Sequence, residues 1–314
     1  MYSASSMSLP AGAVRPRRPQ SVSRLSPHLT GRDHGIYSRA ELRATERTDV
    51  DIRRAVRRGQ LLPVARGWLA TPSAHLGAVR ALRAGSRLTC VDATSIHGIW
   101  TPGRPADERL HVYRRRPRGD HERWALPHPP WLGTWPEPDP VASLHLSLAH
   151  AIRCQTPETA SILLESALHE RRMTPLEVEQ LLEEAPLRLS RRIGMLSTAS
   201  ESGSETRVVR WLRHAGFAVE QQVYVEGIGY IDAYAGGVFI EVDGRGHHSS
   251  PSAFEVDRQR DLAMRRLGLQ LVRVSYPQVW YSWETTRAAL REVIRNVGRQ
   301  GRGAVARLGG GRYT

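Results

Sequence analysis

The sequence predicts a mixed α/β (α+β) protein with more than one domain, on three observations. Residues 34–75 carry two capped helix patterns followed by a hairpin pattern. Residues 76–196 are dominated by helical periodicity. From residue 197 to 295, helix and strand patterns follow the order α-β-β-β-α-β, which builds a mixed sheet with flanking helices. At 314 residues the chain exceeds one average domain, and 40% hydrophobic residues suffice for ordinary cores.

Residues 1–33 are rich in Ser, Pro and Arg and read as a disordered basic arm. The arm lacks the apolar stretch of a secretory signal, and no apolar run approaches the roughly 18 residues of a membrane span. A cytoplasmic protein without membrane contact is expected. The chain holds 45 Lys and Arg against 31 Asp and Glu, a net charge of +14, and every one of those cations is arginine. A GC-rich coding bias accounts for Arg over Lys but not for the excess of positive charge. The excess points to a polyanionic partner, with DNA foremost.

In "SRAELRA", Ser38 and Glu41 have capping-box spacing, and Thr48 and Asp51 repeat it in "TDVDIRRAVRRG". Gly59 ends the second helix, and "QLLPVARGWLATP" reads as a short hairpin. Ile52, Ala55 and Val56 form the inner stripe of that helix; Arg53, Arg54, Arg57 and Arg58 occupy its outer face. Two short helices and a hairpin make the pattern of a winged helix-turn-helix. The arginine face is open to two readings, a DNA-reading surface or a solvated basic face. Residues 38–70 also resemble the winged-helix domain of abortive-infection type IV (AbiEi-like) antitoxins. Those domains open with Ser/Thr-x-x-x-Leu and close on an Arg-Gly-aromatic wing, here Arg66, Gly67 and Trp68. The resemblance implies DNA contact through Arg53, Arg54, Arg57, Arg58 and Arg66, and a cognate toxin as a protein partner.

The middle region reads as mostly helical, with "RLHVYRRR" as a strand. Asp139 and Pro140 are expected to start one helix, Thr156 and Pro157 a second, and Thr174 with Glu177 a third. The Pro-rich residues 126–140 read as a connector. Cys90 and Cys154 are expected to be two buried structural thiols, with no CxxC-type zinc site. His97, His111, His145 and His150 show no ligand-like spacing.

Residues 197–205, "STASESGSE", read as a linker, and 296–314 as a basic Gly/Arg-rich tail. Between them, Gly236 and Gly237 signal a two-residue hairpin turn. That turn sets Ala235 opposite Val238, Tyr234 opposite Phe239 and Ala233 opposite Ile240. It brings Asp232 opposite Glu241. Alternation puts Ile231, Ala233, Val238, Ile240 and Val242 on one face, and Asp232, Glu241 and Asp243 on the other. Like charges directly opposed destabilise a sheet. A divalent cation would reverse that sign, and oxygen donors suit Mg²⁺, Mn²⁺ or Ca²⁺. A shared proton or an outward, solvated pair are the alternatives.

An acid on one strand, a turn and an acid-x-polar triplet on the next resemble the core of the PD-(D/E)XK nucleases. Residues 229–276 resemble, more narrowly, a domain family related to very-short-patch-repair (Vsr-like) endonucleases. Asp232, Glu241, Asp243, Gly244, His248, Phe254, Asp257, Asp261 and Arg273 match its pattern. The resemblance implies a restriction-endonuclease-like fold and metal-dependent DNA cleavage, with Mg²⁺ or Mn²⁺ held by Asp232 and Glu241. Asp243 occupies the position where the broader fold has lysine, and an aspartate cannot supply positive charge there. His248 would act as general acid/base instead. Glu205 is either a further metal ligand or the acid of a capping box with Ser202. Asp257 and Asp261, interleaved with Arg258 and Arg260, read as a salt-bridged helix face. A metal-dependent endonuclease and an antitoxin-like regulator with a degenerate nuclease fold are the two functions compatible with these residues.

Overall fold

The computed structural model describes residues 34–45, 47–103, 108–113, 123–128, 139–243 and 251–308, without the side chains of 251–257 and 300–308. The arm at 1–33 lies outside the described residues. The fold is mixed α/β, as the sequence predicts, with twelve helices and three small sheets among the described residues.

Strand β1 (Ile36–Ser38), helices α1 (Arg39–Ala44) and α2 (Asp49–Arg57), and strands β2 (Leu62–Ala65) and β3 (Trp68–Ala70) come first, with sheet order β1-β3-β2. Both capping boxes form. The Ser38 hydroxyl accepts from the Glu41 N–H while the Glu41 carboxylate accepts from the Ser38 N–H, and Thr48 and Asp51 do the same. Gly67, at φ 81°, turns the hairpin in the left-handed region that glycine adopts without steric cost. Leu42, Ile52, Ala55 and Leu69 form the small core beneath.

Helix α3 (Leu76–Arg83), strand β4 (Arg87–Leu88), helix α4 (Cys90–Thr94) and strands β5 (Leu110–Tyr113) and β6 (Ala125–His128) follow, in a sheet of order β4-β5-β6. Ile36 and Ala70 of the first sheet share one apolar cluster with Ala78, Ala81, Leu88, Val112 and Ala125. Residues on both sides of position 75 therefore contribute to one apolar cluster. The Pro-rich stretch read as a connector supplies Leu126–His128 to β6, in parallel pairing with β5. Leu88 donates its N–H to Pro140 and accepts from Ala142, so residues 140–142 extend that sheet. This pairing displaces the helix start. Helix α5 (Leu144–Cys154) is capped by Ser143 rather than by Asp139 and Pro140.

Helices α6 (Pro157–His169) and α7 (Pro175–Glu183) begin at Thr156 and Thr174 as predicted, and α8 (Leu187–Ile193) follows. Leu148, Ile152, Leu163, Leu164 and Leu181 are the centre of their core. The Ser-rich stretch before α9 (Gly203–His214) is packed, contrary to its reading as a linker. Glu165, buried on α6, accepts from the Ser197 N–H at 3.0 Å and the Thr206 hydroxyl at 2.8 Å. Serine-rich composition looks like a spacer, but here the Ser197 and Ser200 hydroxyls bond the Gln221 amide and the Ser204 hydroxyl accepts from the Trp280 indole. A Cβ added at Gly203 would lie 2.3 Å from the Trp100 ring and 2.7 Å from Ile162, so the first turn of α9 rests directly on these side chains. Trp100 in turn packs on Trp280, with ring centroids 5.3 Å apart.

The last unit contains β7 (Val219–Val225), β8 (Gly229–Ala235), β9 (Val238–Val242), α10 (Pro251–Arg266), β10 (Gln270–Val274), α11 (Tyr276–Trp280) and α12 (Trp283–Leu308). Sheet order is β10-β9-β8-β7, antiparallel except for the parallel β9–β10 pair. Val208 and Leu212 of α9 and Leu290 and Ile294 of α12 pack with Ala233, Val238 and Ile240. The tail expected from residue 296 is helical to Leu308, because α12 continues across the hairpin turn with Val297 packed on that core. Among the described residues no helix is long and apolar enough to cross a membrane.

Candidate functional site

The Gly236-Gly237 turn forms as predicted, with both residues at positive φ (57° and 92°). Ala235 pairs with Val238, Tyr234 with Phe239 and Ala233 with Ile240. The ladder stops there. Beyond it, the Asp232 carboxylate accepts from the backbone N–H of Val242 at 2.7 Å. The register of the β7–β8 ladder also passes over Asp232, and Gln222 holds φ 51° at that level. Ile231 is buried with Val225 and Met264, apart from the cluster of Ala233 and Ile240. The single apolar face expected for Ile231 and Ala233 is thus divided at Asp232, where a side chain replaces the regular backbone pairing.

Three acids meet where the strands part. Glu205, 7% exposed on α9, has its N–H capped by the Ser202 hydroxyl, while its carboxylate accepts from the Glu201 N–H at 2.8 Å. The Ser202 hydroxyl caps the Glu205 N–H, but the carboxylate turns to the Glu201 N–H instead of completing a capping box with Ser202. Burial, then the charge of Asp232, push its pKa up to about 7. Burial likewise raises Asp232 to about 6; the Val242 N–H opposes the shift and the charges of Glu241 and Glu201 add to it. Glu201 is an exposed fourth acid that sequence reasoning missed.

Glu241 is held by arginines. Arg260 of α10 bonds its Oε1 at 2.9 Å, and Arg273 lies 3.2 Å from Oε2, which has no hydrogen-bond partner of its own. Arg273 sits directly beside Glu241 in the parallel ladder and also pairs with Asp261 at 3.3 Å. The arginine-acid face expected on α10 therefore bridges to the strands. The part of Arg260 went unseen in sequence because only the fold lays α10 over β9. Asp243 is half-buried at the end of β9, its N–H donating to Val274. Gly244, His248 and the side chains of Phe254 and Asp257 lie outside the described residues. A hard cation fits the oxygen-only donors in kind, although the carboxylates are spread too widely to form a tight ligand set.

A tighter set lies elsewhere. Cys90, His111, His128 and Cys154 have ligand atoms all within 4.8 Å of one another, the one such group among the described residues, and it can bind a metal ion. The reading of Cys90 and Cys154 as two buried thiols holds for Cys90, while Cys154 is half-buried, and it did not foresee that both lie beside His111 and His128. Burial pushes the Cys90 thiol up, and its hydrogen bond to Cys154 holds the Cys154 thiol down. No sequence signal marked the group, because its members come from α4, β5, β6 and α5 with no short spacing between any two.

Arg53, Arg54, Arg57 and Arg58 project from α2 into solvent, and Arg66 is exposed at the tip of the hairpin. Arg54 has only a loose contact with Asp51, at 3.4 Å. No protein-family model matches the chain, and no curated protein matches it.

Proposed function

We propose that the protein is a metal-dependent DNA endonuclease whose site is formed by Glu205, Asp232 and Glu241. The observation carrying this reading is the convergence of three carboxylates, two with raised pKa, at the point where β8 and β9 part. Buried acids with raised pKa values occur more often at functional than at structural positions. Glu205, Asp232 and Glu241 would hold Mg²⁺ or Mn²⁺ only by drawing closer together than they stand in the ion-free structure. Such an ion lowers the pKa of a bound water and offsets the charge that develops on a phosphate under attack. Asp243 supplies no cation, and Arg260 and Arg273, which pair with Glu241, would be the cations nearest a bound phosphate. Arg53, Arg54, Arg57, Arg58 and Arg66 provide phosphate contacts that bring the duplex to the protein.

The test is cleavage of supercoiled and linear DNA in Mg²⁺ or Mn²⁺ by the wild type and by Asp232→Asn. Cleavage is expected from the first and not the second; equal cleavage by both rejects the site. The pairing of Glu241 with two arginines favours a second reading, an antitoxin-like regulator that binds DNA and a cognate toxin without cutting. Sequence-specific DNA binding by a wild type that never cleaves, with either ion, would select that reading.

A further inference from the structure

We infer that Cys90, His111, His128 and Cys154 form a closed tetrahedral site for a zinc-class ion, which fastens the second sheet to helix α5. The inference is independent of any chemistry at the carboxylates.

Geometry is the first support. His111 Nδ1 and His128 Nε2 are 2.9 Å apart, and Cys154 Sγ is 3.5 Å from His111 Nδ1. Zinc bonds of about 2.0–2.1 Å to nitrogen and 2.3 Å to sulfur give a tetrahedron with edges of roughly 3.3–3.8 Å. The four atoms all lie within 4.8 Å of one another, with the two imidazole nitrogens closer than a tetrahedron edge, so binding needs the imidazoles to part and the wider pairs to close in. Two sulfurs with two nitrogens select zinc over the hard cations expected at carboxylates.

Burial and charge are the second. Cys90 is fully buried, and His111 and His128 are 3% and 7% exposed. Two thiolates, two neutral imidazoles and one divalent ion sum to zero charge, which suits an interior that tolerates no unpaired ion. Four protein ligands leave no open position for a substrate, so the role is structural.

The third support is how the ligands are held. Cys90 adopts φ 54°, a left-handed conformation rare for a residue with a side chain, in the first turn of α4. The Gln155 amide reaches both sulfurs, at 3.6 and 3.7 Å, as an N–H donor that stabilises thiolates. His128 stacks on His150, at 4.8 Å between centroids, and the Nδ1 of His150 is hydrogen-bonded to the Thr89 hydroxyl at 2.7 Å. Such outer partners orient metal-binding imidazoles.

The experiment uses the full chain, purified without chelator. Elemental analysis is expected to find about one zinc per chain, with loss of that zinc in Cys154→Ser and His128→Ala. Should either variant fail to fold, the wild type still decides. Stripped of metal and titrated with Co²⁺, it should develop the visible bands of a tetrahedral thiolate-imidazole site at one equivalent, releasing protons as the thiols ionise. A folded wild type with no zinc and no such bands overturns the inference. Mass analysis showing a Cys90–Cys154 disulfide in the freshly purified protein overturns it equally.

Discussion

The carboxylate cluster and the Cys/His cluster both gather groups able to bind a cation, yet they handle charge in opposite ways. Burial raises the pKa of Glu205 to about 7 and of Asp232 to about 6, and the fold sets Arg260 and Arg273 against the neighbouring Glu241. The second cluster is bound together by hydrogen bonds among its own members and from Gln155. The difference teaches where each site can sit. A set of acids needs permanent counterions or solvent nearby, so it lies at a break in a sheet. A set whose buried Cys90 thiol is held protonated can be closed within a core and reach its full charge only when a metal arrives.

The largest effect that sharpens the contrast is metal removal. Stripping the protein with a strong zinc chelator should cost several kcal/mol and lower Tm by about 10 °C or more, because binding free energy at a closed site is folding free energy. Adding Mg²⁺ should not restore it. Scanning calorimetry with and without zinc reads this directly, and a Tm indifferent to chelation would erase the distinction between the clusters.

Next in size is catalysis. Asp232→Asn should reduce DNA cleavage by about 10³-fold, roughly 4 kcal/mol of barrier, while DNA affinity is retained. Glu241→Ala should abolish cleavage too, and it should also destabilise the ion-free fold by about 1–2 kcal/mol, since it leaves two partly buried guanidinium groups without their carboxylate. Opposed like charges alone would make this substitution neutral or slightly stabilising, by relieving repulsion. Urea unfolding of the two variants measures the difference.

The third effect is pH. Glu205 and Asp232 have folded pKa values raised above the ordinary 4.5 and 3.8, to about 7 and about 6. The folded state binds more protons than the unfolded state in that range, so stability falls as pH rises from about 4 to 7 and levels off above. Glu205 alone contributes about 3 kcal/mol to that fall. In chelator-treated protein, Glu205→Gln should flatten the curve, and unfolding at pH 5 and pH 8 checks it. An unchanged slope would mean that these carboxylates are not coupled to folding.

The smallest effect concerns neither cluster and serves as their control. Replacing Arg54 and Arg58 with Ala should reduce the dependence of log affinity on log salt by about 1–2 units, through fewer released counterions. Zinc content and cleavage of bound DNA should stay as in the wild type. A salt slope that does not change would remove α2 from the DNA-contacting surface.

These two clusters also differ in how far sequence could reach them. Asp232 and Glu241 were found because a Gly-Gly turn fixes register over a few residues, and both capping boxes at the N-terminus are equally local. Period-two alternation carried the prediction as far as Ala233, and it failed at Ile231 because the Asp232 side chain bonds the backbone there. The Cys/His cluster needs four elements to meet. Two of them, β6 and the first turn of α4, are short, and β6 contains a proline within a stretch that composition marks as loop. Glu165 likewise turned an apparent serine spacer into a buried hydrogen-bonded seam.

The seat of α9 at Gly203 has a consequence for how such chains can be recombined. The residues around the seam look like a point for cutting and splicing, yet Trp100 and Ile162 leave no room for even a methyl group there. Excision at that point would strip the cover from Trp100 and leave the Glu165 carboxylate inside α6 without Ser197 and Thr206. An exchange of the C-terminal unit between proteins, by recombination or by engineering, must therefore carry α6 along or supply a new surface for it. The portable piece of this chain is larger than its sheet.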